Sequence, residues 1–226
     1  TEIKAKASGV EFTLNTHLGQ HKIESALMGD FNIENLLAAI AVLLSKHMPL
    51  SDIALAVKSL TPIIGRMEAF KADNKTTTIV DYAHTPDALV SALHACRSHC
   101  EGDLWVVFGC GGDRDKGKRP LMAQAAENGA DHIVFTTDNP RNEQAEDIVA
   151  DMLKGCVKPE RVTVLLDREL AIIATLAKAK KDDMILLAGK GHEEYIIIGN
   201  DQINYNERKF VESIYERYQQ ENETEG

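Results

Sequence analysis

The stretch VFGCGGDRDKGKRP, residues 107–120, determines how the rest of the sequence is interpreted. It continues an apolar run at residues 104–108 whose valines and aromatic residues are typical of a central strand in a parallel sheet. Three glycines then permit a sharp turn with exposed backbone N–H groups. Cationic side chains follow, and Pro120 is a residue that favours the first turn of a helix. The order predicts a strand, a loop of a size that suits an anion, and a helix.

Neither of two common nucleotide-binding motifs is complete in this stretch. From Gly112 the spacing is that of a P-loop until Arg119, which replaces the Ser or Thr that would hold Mg²⁺. Arg114 stands where a dinucleotide fingerprint would have its third glycine. The stretch by itself therefore leaves two interpretations open, a local anion site or a basic, solvated turn above a sheet.

Composition and charge exclude several classes of protein. The chain has 226 residues, 44% of them hydrophobic and 27% charged, which fits one large domain or one domain with a piece of another. The net charge of −10 comes without a basic block for nucleic acid. No apolar run approaches the roughly 20 residues of a membrane helix. We expect no nucleic-acid partner and no membrane partner.

The cysteines indicate a reducing compartment. Four are present, with no CxxC pair and no signal peptide, so a cytoplasmic location is expected. Cys96 and Cys100 lie one helical turn apart near His94 and His99, which would allow a metal site. Half-buried helix residues explain them as well, because no second ligand pair has matching spacing. We assign no metal ligand.

The pattern changes around residues 62–67, and we place a domain boundary there, giving parts 1–63 and 64–226. The first part alternates like hairpin strands at Ile3, Ala5 and Ala7 and again over residues 10–14 and 23–27, and then has two amphipathic helices capped by Asp30 and Ser51. The second part alternates strands and helices. Its predicted strands are residues 70–72, 76–82, 104–108, 132–137, 162–166 and 184–188, followed by a hairpin of 195–198 with 202–205.

This alternation predicts an α/β fold, a Rossmann-like, mostly parallel sheet of about six strands with helices on both faces. Polar loops follow four of the strands, at residues 81–84, 109–119, 138–141 and 189–193. Because the carboxyl ends of parallel strands meet at the same edge of a sheet, we expect these loops to form one site.

Six motifs resemble those of the Mur ligases, the ATP-dependent amide-forming enzymes of peptidoglycan synthesis. They are GDFNIENLLAAIA from Gly29, GRMEAF from Gly65, VDYAHTPDAL from Val80, VFGCGGDRDKGKRP from Val107, TTDNPRNE from Thr136 and LLAGKGHE from Leu186. They follow one another in the family's order over nearly the whole chain. Among these enzymes the sequence is most similar to those that add meso-2,6-diaminopimelate to UDP-N-acetylmuramoyl-L-alanyl-D-glutamate.

The resemblance implies an organisation for the two parts. Residues 1–63 are similar to the closing part of the central ATPase domain, and residues 64–226 to the complete C-terminal, amino-acid-binding domain. The sequence has no intact GxxxxGK[ST] and no UDP-sugar domain, so the chain is expected to be a fragment that is inactive alone. ATP is implied as a substrate, with Mg²⁺ held mainly through the missing part. A monomer is expected.

The resemblance also implies roles for individual residues, none of them catalytic. Nucleotide contacts are implied for Asn32 and Asn35 (adenine), Arg66 (phosphate or ribose), and Asp81 and His84 (ribose side). For His84, capping of the helix that begins at Pro86 stays open as an alternative. Diaminopimelate contacts are implied for Arg114, Asp138, Asn139, Pro140, Arg141, Gly189 and Glu193. Arg141 is the specific signal, since family members that add lysine have another residue there. Lys190 and His192 receive no role.

The alternative function is a non-catalytic nucleotide- or phosphate-binding module with the same α/β fold, which the fold alone does not exclude. A dehydrogenase or aminotransferase is less favoured, because no cofactor fingerprint is complete.

Overall fold

The computed structural model describes residues 3–6 and 9–225. The chain divides into two compact units, Thr1–Ile63 and Ile64–Gly226.

The first unit is a three-stranded antiparallel sheet covered by two helices. Its elements are β1 (Ile3–Lys6), β2 (Gly9–Thr16), β3 (Gly19–Ser25), α1 (Asp30–Ser45) and α2 (Leu50–Lys58), with strand order β1-β2-β3. Alternation along β2 places Val10, Phe12 and Leu14 on one face, where they pack on Ile33, Leu36 and Ile40 of α1 and on Ile53 and Val57 of α2. Ala7, predicted as a strand residue, lies outside the described residues.

Both predicted helix caps in this unit are wrong. Asp30 is the first residue of α1, and Gly29 occupies the N-cap position with φ 88°, a left-handed conformation that favours glycine. Ser51 lies inside α2, whose N-cap position is held by Pro49. Neither N-cap residue makes a side-chain capping hydrogen bond.

The second unit contains a six-stranded sheet in the order β4-β5-β9-β6-β7-β8. Its strands are β4 (Glu68–Phe70), β5 (Thr77–Asp81), β6 (Leu104–Phe108), β7 (His132–Phe135), β8 (Val162–Val164) and β9 (Met184–Ala188). Every neighbouring pair is parallel except β4 with β5. The predicted α/β fold with a mostly parallel sheet of about six strands is confirmed.

Helices cover both faces of this sheet. They are α3 (Pro86–His99), α4 (Lys118–Gly129), α5 (Ala145–Leu153), α6 (Arg168–Lys178) and α7 (Glu207–Glu225), with a short 3₁₀ turn at Pro159–Arg161. On one face, alternate residues of the central strands, among them Val107 and Leu187, pack on Ile172 of α6 and Val211 of α7. Helix α3 contacts β6 and β9, and α4 packs on α3 and α5.

The remaining elements differ in detail from the prediction. Strands β10 (Tyr195–Ile198) and β11 (Asp201–Asn204) form the predicted hairpin as a separate two-stranded sheet. Helix α4 begins at Lys118, two residues before the expected Pro120. None of the helices in the described residues combines the length and apolar character that a membrane crossing needs.

Candidate functional site

Loops from neighbouring strands come into contact at the carboxyl edge of the six-stranded sheet. The Gly112 N–H donates to Asn139 O at 2.8 Å, which joins the loop after β6 to the loop after β7. The loop after β9 reaches the same place, since Lys190 Nζ lies 2.7 Å from Asn139 Oδ1. The parallel topology places these loops side by side, as expected from the strand order.

The glycines after β6 allow the loop after β6 to pack closely against the segment after β7. A Cβ atom on Gly112 would lie 1.8 Å from Pro140 O, and one on Gly109 would lie 2.2 Å from Thr136 O. The Gly112 N–H is taken by Asn139, and the Asp113 N–H donates to Glu143 Oε1 at 2.7 Å. These two amides are therefore occupied, and the glycine run does not present them to an anion.

Arg119, the last cation of the same stretch, is fully buried and does not belong to a solvated turn. Its guanidinium donates to both oxygens of Glu143 at 2.8 and 3.0 Å and to Asp151 Oδ2 at 2.9 Å. It also donates to Gly111 O at 3.3 Å. The Arg119 guanidinium and the Lys116 ammonium hold the pKa of Glu143 well below its usual range. Arg119 thus anchors the loop after β6 through buried hydrogen bonds.

Lys190 lies at the centre of the residues that were predicted to bind the amino-acid substrate. Its side chain is fully buried, and its Nζ donates to Asn139 Oδ1 at 2.7 Å, to Tyr195 O at 2.9 Å and to Glu193 Oε2 at 3.3 Å. Asp138 Oδ1 lies 2.9 Å from the same nitrogen without an aligned hydrogen bond, so that pair is electrostatic. Asn139 Nδ2 completes the group by donating to Glu193 Oε2 at 3.1 Å.

Arg141 has a strained backbone that the β10–β11 hairpin holds in place. Its φ is 51°, a conformation rarely adopted by side-chain-bearing residues. The Arg141 N–H donates to Ile197 O at 3.0 Å, and the Gly199 N–H donates to Arg141 O at 2.7 Å. Its guanidinium donates through Nη1 to Gly112 O at 2.8 Å. The half-buried side chain is therefore anchored through one nitrogen, and its remaining N–H groups can donate hydrogen bonds to a carboxylate.

Arg114 is exposed, and its contact is with the neighbouring Asp113 carbonyl at 3.3 Å. A Cβ atom on Gly111 would lie 3.6 Å from Arg114 Cγ and 3.0 Å from Arg141 Nη1. The two arginine side chains therefore flank Gly111. Pro140, which lies between Asn139 and Arg141 in the sequence, is buried. Gly189 has φ 108° and faces Asp138, whose Oδ2 would lie 3.6 Å from an added Cβ.

Asp81, predicted to meet a ribose, is buried and already accepts two backbone N–H groups. Ala83 N donates to Oδ1 and Met67 N donates to Oδ2, each at 2.8 Å. Each carboxylate oxygen keeps a second lone pair. Asp81 therefore joins the end of β5 to the turn around Met67, which has φ 45°.

His84 and Arg66 both lie against the Tyr82 ring. The His84 and Tyr82 ring centroids are 4.6 Å apart, and Arg66 Cζ lies 5.4 Å from the Tyr82 centroid. The His192 ring is 4.9 Å from Tyr82, so this histidine belongs to the same group. His84 does not cap α3, because Thr85 holds the N-cap position and accepts from Ala88 N at 3.4 Å.

Asn32 and Asn35 belong to the first unit, one turn apart at the start of α1. Asn32 is half-buried and donates through Nδ2 to Met28 O at 2.8 Å, whereas Asn35 is exposed. Within the described ranges, no group of three or more His, Cys, Asp or Glu side chains could hold a metal ion.

Sequence reasoning missed a buried ion pair behind the site. Arg168, the first residue of α6, donates through Nε and Nη2 to the carboxylate of Glu207, the first residue of α7. Arg168 also reaches Ala188 O at 3.0 Å and Thr137 O at 3.4 Å, the residues just before Gly189 and Asp138. Burial disfavours the charge on Arg168, but Glu207 outweighs this effect and raises the pKa of Arg168. Lys190 could have been found as part of the GKGHE motif; Arg168 and Glu207 lie in no recognised motif.

Sequence and structure comparisons identify the family. The family profile described as "Mur ligase, glutamate ligase domain" matches residues 65–191. The chain belongs to the Mur ligase family. A second profile, "Mur ligase middle domain", matches residues 1–43. The first unit of this Mur ligase therefore contains sequence of the middle domain, and the second contains the ligase domain that bears the site.

Individual relatives agree with this assignment. The chain is 46% identical over 207 residues to the UDP-N-acetylmuramoyl-L-alanyl-D-glutamate–2,6-diaminopimelate ligase of Vibrio vulnificus, with 92% of this chain and 42% of the relative covered. A solved structure of a ligase of that name has a TM-score of 0.77 at 39% identity, with 96% of this chain and 45% of that chain covered. UDP-N-acetylmuramate-alanine ligase from Thermotoga maritima shares the fold at 18% identity, with a TM-score of 0.64 and coverage of 97% and 45%. The chain spans less than half the length of these relatives.

Proposed function

We propose that this chain is the C-terminal, amino-acid-binding part of an ATP-dependent ligase that adds meso-2,6-diaminopimelate to UDP-N-acetylmuramoyl-L-alanyl-D-glutamate in the cytoplasm. One observation supports this most directly: Asp138, Asn139 and Glu193 converge on Lys190 Nζ at the carboxyl edge of the sheet, and Arg141 contacts the Asn139 carbonyl beside them. Diaminopimelate has two carboxylates and two ammonium groups, so its pocket needs acceptors and donors side by side.

In the proposed reaction, ATP converts the D-glutamate side-chain carboxylate of the UDP-sugar dipeptide into an acyl phosphate. The neutral amino group of diaminopimelate attacks the acyl carbon, the new C–N bond forms, the C–O bond to phosphate breaks, and the nitrogen loses a proton. Such a step depends on orientation and charge stabilisation. The residues of this chain bind and orient the amino acid, and we assign none of them a covalent role.

Within the pocket, each proposed contact has a chemical reason. Arg141 receives the carboxylate at the far end of diaminopimelate through the guanidinium nitrogens that Gly112 leaves unused. Glu193 accepts from the neighbouring ammonium through Oε1, since the described side-chain hydrogen bonds of this residue use Oε2. Arg114 is exposed next to Arg141 and receives a second carboxylate. Asp138, Asn139, Pro140 and Gly189 shape the pocket around these groups.

The nucleotide contacts remain a separate proposal. Asn32 and Asn35 would meet the adenine, and Arg66 and His84, which both contact the Tyr82 ring, would meet the phosphate or ribose. Asp81 would use the lone pairs that Met67 and Ala83 leave unused to accept from ribose hydroxyls. Mg²⁺ would be held mainly by parts of the enzyme outside this chain. We propose a monomer.

A choice between diaminopimelate and lysine tests the function. In the full-length ligase that contains this chain, Arg141→Ala should lower kcat/KM for diaminopimelate by roughly a hundredfold or more, because two charge-assisted hydrogen bonds of about 1.5 to 3 kcal/mol each are lost. Lysine lacks the far carboxylate and should lose much less. The KM for ATP should not change. Amide formation is measured with each amino acid under steady-state conditions.

Two controls accompany this measurement. Arg217→Ala removes an exposed arginine of α7 and should leave both amino acids unaffected. The 226-residue chain by itself should form no amide, since its sequence has no intact P-loop to hold the ATP phosphates. Equal losses for diaminopimelate and lysine in Arg141→Ala would assign Arg141 another role. A wild-type enzyme that binds nucleotide but joins neither amino acid would favour the non-catalytic nucleotide-binding module.

A further inference from the structure

We propose that Lys190 is a specificity-determining positioning residue, whose buried charge makes the pocket electrically neutral and so selects an amino acid with a zwitterionic far end. This inference rests on the proposed function, since it concerns how the same pocket distinguishes diaminopimelate from lysine. Lys190 itself does not touch the amino acid, because its side chain is fully buried beneath Asp138, Asn139 and Glu193.

The loop after β9 aims the Lys190 side chain inward. Gly189 and Gly191 flank it with φ of 108° and 49°, conformations that disfavour any residue with a Cβ. A Cβ atom on Gly191 would also lie 2.6 Å from Tyr82 Cβ, so the backbone has to pass close to Tyr82. The two glycines therefore allow the backbone turn that directs the Lys190 side chain into the protein, where it is fully buried.

The ammonium determines how Asn139 is oriented. Asn139 Oδ1 accepts from Lys190 Nζ at 2.7 Å and from the Ile197 N–H at 2.9 Å, which fixes the oxygen toward the protein interior. The Asn139 NH₂ group then faces Glu193, to which it donates at 3.1 Å. The main role of the Asn139 side chain is therefore to hold the Glu193 carboxylate in position. Lys190 and Asn139 together hold Oε2 of Glu193 and leave Oε1 for a ligand ammonium.

Apart from the exposed Arg114, which the proposed function pairs with the second carboxylate of the ligand, the charges at this end of the pocket sum to zero. Asp138 and Glu193 each contribute one negative charge, and Lys190 and Arg141 each contribute one positive charge. The Arg168 charge near Asp138 is cancelled by its partner Glu207. A neutral pocket fits the far end of diaminopimelate, where an ammonium and a carboxylate also sum to zero. It fits the far end of lysine less well, since a lone ammonium would leave Arg141 without an anion.

Removal of the Lys190 charge should therefore change the choice of amino acid. Lys190→Met gives the pocket a net charge of −1, which favours the singly cationic far end of lysine over the zwitterion. In the full-length ligase, the ratio of kcat/KM for diaminopimelate to kcat/KM for lysine should fall by about tenfold or more, because a unit charge a few ångströms away at an effective dielectric constant of about 20 has an effect of at least this size. A lysine that only stabilises the fold would lower both values by the same factor.

Glu193→Gln is the complementary variant, and it changes a half-buried side chain at the pocket edge. Its pocket has a net charge of +1, so both amino acids lose affinity, but lysine loses more and the ratio rises. Lys190→Met combined with Asp138→Asn returns the pocket to neutrality and should bring the ratio back toward the wild-type value. Lys178→Met removes an exposed lysine of α6 and should leave the ratio unchanged. Thermal denaturation of each variant identifies any that fails to fold.

The outcomes separate this inference from the proposed function. A wild-type enzyme that does not use diaminopimelate would overturn the proposed function itself. A wild-type enzyme that does use it, with an unchanged ratio in Lys190→Met and Glu193→Gln, would overturn only the role of Lys190. Should Lys190→Met fail to fold, Lys190→Gln makes the same charge change with a polar group that can still donate to Asn139 and Tyr195. The opposite shift in Glu193→Gln tests the charge balance in either case.

Discussion

The Arg168–Glu207 ion pair should contribute more to the stability of the second unit than any surface charge pair. Arg168 is 3% exposed and Glu207 is 0% exposed, so neither charge is hydrated by bulk water. Tyr205 OH adds a hydrogen bond to Glu207 Oε2 at 3.2 Å, and Arg168 Nη2 reaches Ala188 O at 3.0 Å. The pair joins the first turns of α6 and α7 to the strand end from which the Gly189 loop begins.

The expected magnitude follows from what each substitution leaves behind. Glu207→Leu leaves the Arg168 charge buried without a counterion, and Arg168→Met does the same to Glu207; each should cost about 3 to 5 kcal/mol. The double variant buries no charge, but it removes the Arg168 donors from the Ala188 and Thr137 carbonyls and the Glu207 acceptor from the Tyr205 hydroxyl. An unpaired neutral group costs about 1 to 3 kcal/mol, so the double variant should be more stable than the sum of the two single effects predicts.

Urea denaturation monitored by tryptophan fluorescence measures the free energy of unfolding of the second unit. The single tryptophan, Trp105, lies in β6, where it stacks on His132 and donates to Asp183, so its emission reports the second unit. Strictly additive losses in the double variant would contradict the reasoning, because they would mean that the two charges do not compensate each other. Losses below about 1 kcal/mol in both single variants would place the pair in the weak class of surface ion pairs.

Two further predictions concern the loop after β6. Gly112→Ala should destabilise the second unit by about 1 to 3 kcal/mol and weaken diaminopimelate binding measured by calorimetry, since the new Cβ would lie 1.8 Å from the Pro140 carbonyl oxygen. Gly117→Ala is the matched control, because its nearest neighbour is the flexible Asp115 carboxylate at 3.1 Å, and similar losses in both variants would show that the close approach is not the cause. Glu143 has a lowered pKa in the folded state, so its contribution to stability is complete above the ordinary value of 4.5 and is lost as the pH falls below it. The wild-type free energy of unfolding should therefore fall more steeply below about pH 4.5 than that of Glu143→Gln, and parallel pH curves would rule out this contribution.

The parallel sheet could be predicted because its signals are local. Apolar runs, strand-to-helix alternation and glycines identified the strands, and the family motifs then agreed with the order of the loops. Helix starts were less well predicted, as Asp30 and Ser51 show. A residue type that favours an N-cap does not exclude a nearby residue with a non-helical backbone conformation. Gly29, with φ 88° and ψ 149°, and Pro49, with φ −58° and ψ 141°, hold the two N-cap positions.

The supporting residues of the site depend on contacts that no local pattern encodes. Arg168 and Glu207 are 39 residues apart, and Lys190 and Asn139 are 51 apart. A lysine or an arginine in a sequence is ordinarily assigned to the surface, and only packing shows that these are buried with partners. The ligand contacts of Arg141 and Glu193 stay predictions, while their supports are visible in the structure.

The glycine-rich stretch shows that a local pattern suited to an anion can also serve close packing between loops. Glycines followed by cations suit an anion only when the N–H groups point outward and stay unpaired. Here the Gly112 and Asp113 amides are used by Asn139 and Glu143, and Arg119 is buried against Glu143. The same features allow the loop to approach residues 139–141 closely enough for Gly112 O to hold the Arg141 guanidinium. We therefore propose that the stretch acts on the ligand through Arg141, with the carboxylate of an amino acid as the anion rather than the phosphate of a nucleotide.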